Sequence, residues 1–167
     1  MSISRDLARV ADQIATKNDL RPDFCDRLTR ALAQLWSAGA EGLAPDDVSR
    51  FDSIFVRIVP TSSVGTRIEL SDRIATASAP PRGVLLVLAQ DDIDVAGPIL
   101  RLSPALTDED LVDVARRCGS SHMGAIAERP ELSIRVTDVL VLRGDDDVRR
   151  IVTGNAGAHF SAKSFAR

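Results

Sequence analysis

Tyrosine is missing from this chain, tryptophan occurs once (Trp36), and aromatic residues make up only 4% of the 167 positions. A core of stacked rings is therefore excluded, and the interior must be built from Leu, Ile, Val and Ala. Cysteine is scarce too. Cys25 and Cys118 lie far apart in sequence, too few for a disulfide framework, and they read as free core thiols in a reducing compartment. Long apolar runs are lacking: the longest, VLLVLA at 84–89, is far short of the ~20 residues that cross a bilayer. The start, MSISRDLARV, has no basic segment leading into an apolar one, so no signal peptide is read and a cytoplasmic location is expected. Positive charge is not in excess. The net charge of −3 argues against a protein whose main work is neutralising phosphates. Nucleophile and nucleotide signatures are absent as well: no G-x-S-x-G, no P-loop, no G-x-G-x-x-G and no D-x-D-x-D-G calcium loop.

What is present is a globular balance, 44% hydrophobic and 27% charged residues, in a chain long enough for one domain with a real core. Its apolar residues follow helical spacing. Leu7, Val10, Ala11 and Ile14 mark a first helix. Pro22 opens a second that carries Phe24, Leu28, Leu32, Leu35 and Trp36 and ends at Gly39 and Gly42. Pro45 opens a third with Val48, Phe51, Ile54, Phe55 and Ile58, closed by Pro60. No apolar–polar alternation is long enough to predict a strand.

From about residue 64 a period appears. Pro104 and Pro130 stand 26 residues apart, each followed two positions later by Leu106 or Leu132. Ala96, His122 and Val148 keep the same interval, as do Ile99, Ala125 and Ile151, and Leu100, Ile126 and Val152. In the intervening helices Val84, Leu111 and Val136 are spaced 27 and 25, as are Val87, Val114 and Val139, and Leu88, Ala115 and Leu140. Leu70 and Ile74 form a weaker earlier copy. A short helical pair cannot bury its apolar face alone, whereas stacked pairs can. The pattern predicts an all-α fold: a HEAT-like α-α superhelix with repeats of about 26 residues. Residues 61–167 form the repeats and residues 1–60 an N-terminal helical cap that covers Leu70 and Ile74.

Several stretches also carry a resemblance. GVLLVLAQDDIDVAGPILRLSPALTDEDLVDVA, SSHMGAIAERPELSIRVTDVLVLRGDDDV and NAGAHFSAKSFAR, with FDSIFVRIVP upstream, resemble the bacterial family catalogued as domain of unknown function 2336. The resemblance covers roughly residues 45–167 and is most specific in DDIDVAGPIL and VTDVLVLRGD. It implies a helical, HEAT-like fold and no activity, so it assigns no catalytic residue. The stop at Arg167, about two turns into the last predicted helix, fits a domain taken from a longer protein.

The charged clusters invite a metal reading. Asp91, Asp92 and Asp94, then Asp108, Glu109 and Asp110, then Asp145, Asp146 and Asp147 stand at predicted helix starts, while Arg101, Arg116, Arg117, Arg129 and Arg143 stand at helix ends. The helix dipole accounts for both signs. A structural zinc would need Cys25, Cys118, His122 and His159 together, bridging the two ends of an elongated stack. No metal, cofactor or catalytic residue is therefore expected. His122 shares its repeat position with Ala96 and Val148, which predicts a structural imidazole satisfied by a carbonyl or hydroxyl. GNAG at 154–157 predicts a helix C-cap with Asn155 left-handed.

These readings point to a non-catalytic scaffold or adaptor for a protein or peptide. Asp113 and Asp138 occupy one repeat position in successive second helices and are the expected partner site, with Arg117 at its edge. The alternative is a nucleic-acid binder or a HEAT-like enzyme of the DNA-glycosylase type, suggested by Arg149, Arg150, Lys163 and Arg167, though nucleic acid is the weaker expectation. No membrane contact is expected. Phe160 and Phe165 at an uncapped C-terminal end predict partial exposure and weak self-association.

Overall fold

The computed structural model describes residues 20–39, 44–162 and 164. The first predicted helix, Gly42, Lys163, Phe165 and Arg167 lie outside them. Nine α-helices and one 3₁₀ turn make up the described residues, with no strand among them: α1 (Pro22–Gly39), α2 (Pro45–Ile58), the turn Val59–Thr61, α3 (Val64–Ile74), α4 (Arg82–Ala89), α5 (Ile93–Leu102), α6 (Asp108–Arg117), α7 (Ser120–Ala127), α8 (Ile134–Arg143) and α9 (Asp146–Gly154).

The helix boundaries follow from capping chemistry. Pro22 and Pro45 open α1 and α2, where a missing N–H costs nothing. The side chains of Ser63, Thr107, Ser133 and Asp145 accept backbone N–H groups at the starts of α3, α6, α8 and α9. At α6 the cap is reciprocal, because Asp110 takes the Thr107 N–H in return. Asp108, Glu109 and Asp110 fill the first turn of α6, and Arg116 and Arg117 its last, the disposition the helix dipole favours.

Helices of alternate order pack on one another and make two layers. In one, α1, α3, α5, α7 and α9 each lie against the next; in the other, α2 packs on α4 and α6 on α8. The ladders read from the sequence run through the interior between the layers. Leu100, Ile126 and Val152 are fully buried, as are Leu88, Ala115 and Leu140. Leu70 and Ile74 are buried as well. Three of the few aromatics cluster between α1 and α2, where Trp36 meets Phe51 edge-on at 5.5 Å and Phe51 stacks on Phe55 at 6.3 Å.

Polar ties join neighbouring units. The guanidinium of Arg67 grips both oxygens of Asp91 at 2.6 and 3.0 Å, with both side chains largely buried. Ser71 donates to the Val95 carbonyl, Arg129 to the Leu100 and Ser103 carbonyls at 2.8 and 2.9 Å, and Asn155 Nδ2 to those of Ala127 and Arg129 at 2.8 and 2.7 Å. Ser103, Arg129 and Asn155 are themselves 26 apart. The later two thus satisfy carbonyls left open at the helix end one unit earlier. Burial pushes the Arg129 pKa down from its ordinary value, against a smaller upward pull from Asp108.

Two local expectations are corrected. Asn155 is extended, at φ −84° and ψ 112°, not left-handed. Its amide is spent on the preceding unit and on the Gly157 N–H, which Oδ1 accepts at 2.8 Å. The final predicted helix is also absent among its described residues. After α9 the chain turns and runs beside Leu132 in an isolated parallel β-bridge at Ala158. Among the described residues a single turn follows, closed by Ser164 N–H on the Ser161 carbonyl.

Candidate functional site

Glu109, Asp113 and Arg117 recur every four residues along α6, so they line one stripe of that helix. All three are exposed. On α8 the corresponding stripe holds Arg135, Asp138 and Leu142. Arg135 reaches Glu109 at 3.3 Å, and Arg143 donates to the Arg116 carbonyl at 3.1 Å. Two crosslinks in the same order mean that α6 and α8 run parallel, which sets Asp113 and Asp138 at one level on a shared surface. Arg117 pairs with Asp113 at 3.3 Å, both side chains more than half exposed. Such a pair contributes only a few tenths of a kcal/mol, so its charges stay available to a partner. Asp138 differs: it is half-buried and accepts a hydrogen bond from the Ser161 hydroxyl at 2.8 Å. Leu142, 61% exposed one turn further on, gives the surface an apolar element.

At the N-terminal edge of the same face sits Asp110. Burial raises its pKa, but hydrogen bonds from the Thr107 backbone and hydroxyl, then from Arg82, outweigh that and hold it below the usual carboxylate value. Of these residues only Asp113 and Asp138 were legible as repeat equivalents. The tie of Asp138 to Ser161 was not, because no periodic rule relates an irregular segment to a helix.

Cys118 and His122 lie in an open groove of about 640 Å³ where the turn before α5 meets the turn before α7, with Asp91, Asp92, Ile93 and Ser121 also lining it. His122 is half-buried, and its Nε2 donates to the Asp91 carbonyl at 2.8 Å. The imidazole thereby joins one unit to the next, and of the two partners expected for it, a carbonyl or a hydroxyl, it takes the carbonyl. Burial pushes the Cys118 thiol up, against a smaller pull from Arg117, the direction that suppresses the thiolate. Cys25, fully buried, is raised by burial and by Asp26. Both cysteines are free. Among the described residues no group of three or more His, Cys, Asp or Glu is placed to hold a metal ion, and no helix is long and apolar enough to cross a membrane.

Residues 95–167 match the family described as an uncharacterised protein conserved in bacteria (DUF2336). The matched stretch runs from within α5 to the last residue, so it contains Asp113, Arg117, Cys118, His122 and Asp138. Residues 45–94, which share the resemblance by sequence, lie outside it. No curated protein and no solved structure matches the chain.

Proposed function

We propose that this chain is a non-catalytic scaffold that receives a protein or peptide on the α6–α8 surface, with Asp113, Asp138 and Arg117 as contact residues. The reading takes the fold as a HEAT-like superhelix, with residues 1–60 as its N-terminal cap and residues 61–167 as its repeats. One observation carries it: α3, α5, α7 and α9 stack in turn and α6 packs on α8, while Glu109, Asp113 and Arg117 on α6 and Arg135 and Leu142 on α8 stay exposed. An array of this kind presents a long, regular surface for its mass. The polar and charged stripe around exposed Leu142 supports a partner surface with an apolar anchor and a polar rim. Two free cysteines are in keeping with work in a reducing cytoplasm.

The test is charge reversal at both carboxylates. An Asp113→Arg/Asp138→Arg variant, matched to the parent in melting temperature, should lose the proteins that the parent chain retains by cross-linking from its source cells. Retention of the same set by both would remove the site. Binding of labelled DNA at low salt that falls steeply as salt rises would replace the scaffold reading with a nucleic-acid one.

A further inference from the structure

The segment that follows α9 is seated on the α8 end of the stack as a bound peptide would be. Leu132 donates its N–H to the Gly157 carbonyl and accepts the His159 N–H, both at 3.0 Å. This is the exchange of a parallel β-bridge. Ala158 and Phe160 pack half-buried against the core, and Ser161 reaches Asp138. Gly157 is required by this seating: a Cβ there would lie 1.8 Å from the Pro130 carbonyl oxygen, a backbone atom with no freedom to swing aside. The segment is pinned at its start by the Asn155 amide. Beyond that pin it contains no helix among its described residues, and the contacts that seat it include the bridge at Leu132, the packing of Ala158 and Phe160 and the Ser161 hydroxyl on Asp138.

We infer that the Leu132–Asp138 edge is a peptide-docking surface, filled in cis by residues 157–161 and able to take the same segment from a second copy of this chain. The pattern it reads is a glycine, a small residue two places before an aromatic, and a hydroxyl directly after that aromatic. This rests on the reading of Asp138 as a contact residue, and it makes that carboxylate reachable only when the segment has left. Because the tail is tethered about two residues from its seat, its effective concentration is in the millimolar range, and it outcompetes a free peptide.

A synthetic peptide of residues 155–162, labelled with a fluorophore, tests this on the 167-residue chain. The parent should bind it poorly. A Gly157→Ala variant cannot seat its own tail, so it should bind the peptide at least about tenfold more tightly. Adding Asp138→Asn should weaken that binding by about tenfold, the loss of a hydrogen bond to a charged acceptor. A folded Gly157→Ala chain with no affinity for the peptide overturns the inference. Should Gly157→Ala fail to fold, Ser161→Ala serves. Its Leu132 and His159 amides should exchange with deuterium faster than the parent's while the Leu140 amide does not change. Exchange of all three in step would make the segment an integral part of the core and overturn the inference too. Failure of the scaffold reading would appear separately, as unchanged retention by the Asp113→Arg/Asp138→Arg variant in spite of peptide binding.

Discussion

Thr137 is fully buried in α8, and its hydroxyl has no hydrogen-bond partner. The equivalent places in α4 and α6 hold Leu85 and Val112, both buried, so the position is apolar by design of the stack. Valine has the shape of threonine without the hydroxyl. Thr137→Val should therefore raise stability by about 1 kcal/mol, measured by urea denaturation, since it removes an unsatisfied polar atom without opening a cavity. A loss of stability would mean that the hydroxyl has a partner after all. Asp110 predicts a pH effect of definite sign. Its pKa is lowered on folding, so it contributes stability above the ordinary carboxylate value of about 3.9, and that contribution fades as pH falls through its lower folded value. Asp110→Asn should be less stable than the parent at pH 7, and the gap should close in acid. A gap that stays constant down to pH 2 would contradict the assignment.

At the scale of single helices, α4 shows capping across the fold. It begins at Arg82 after Pro81, and the cap position offers no side-chain acceptor. Asp52 of α2 supplies one instead, taking the Gly83 and Val84 N–H groups at 2.8 and 2.9 Å. A side chain on Gly83 would strike that carboxylate, which explains a glycine in the first turn of a helix. Asp52→Ala should cost about 1–2 kcal/mol, the upper range for loss of a cap, and should speed deuterium exchange at Gly83 and Val84 before the rest of α4. Unchanged exchange there would show that water replaces the carboxylate at no cost. The short α8–α9 connection is also glycine-dependent, because a Cβ at Gly144 would meet the Leu140 carbonyl oxygen at 2.5 Å.

For the whole molecule, the alternating layers mean that each helix answers chiefly to its neighbours in the stack. Ile126 is fully buried in α7, which packs on α5 and α9. Ile126→Ala should cost about 2–5 kcal/mol. Its effect on hydrogen exchange should be greatest in α5, α7 and α9 and least in α1 and α2, as nearest-neighbour coupling requires. Uniform acceleration from α1 to α9 would show instead that the stack opens as one unit.

Among the described residues the amino-acid sequence by itself determined most helices, several of their caps and the faces they bury, but not the Asn155 cap or the loss of the last predicted helix. Those features rest on local quantities: a 3.6-residue period, a proline or hydroxyl at a helix start, acids and bases at opposite ends of a dipole. It also carried the 26-residue ladder, because equivalent residues such as Leu100, Ile126 and Val152 solve the same packing problem in each unit. Tertiary structure alone decided the polar pairings: Asp52 with α4, Arg129 and Asn155 with the helix ends before them, and Ser161 with Asp138. Each joins groups 23 to 32 residues apart, and a hydrogen bond needs placement within a few tenths of an ångström. Spacing in the chain conveys which face a residue occupies. Which carbonyl or carboxylate then waits opposite is fixed only when the helices are stacked and their connecting turns meet.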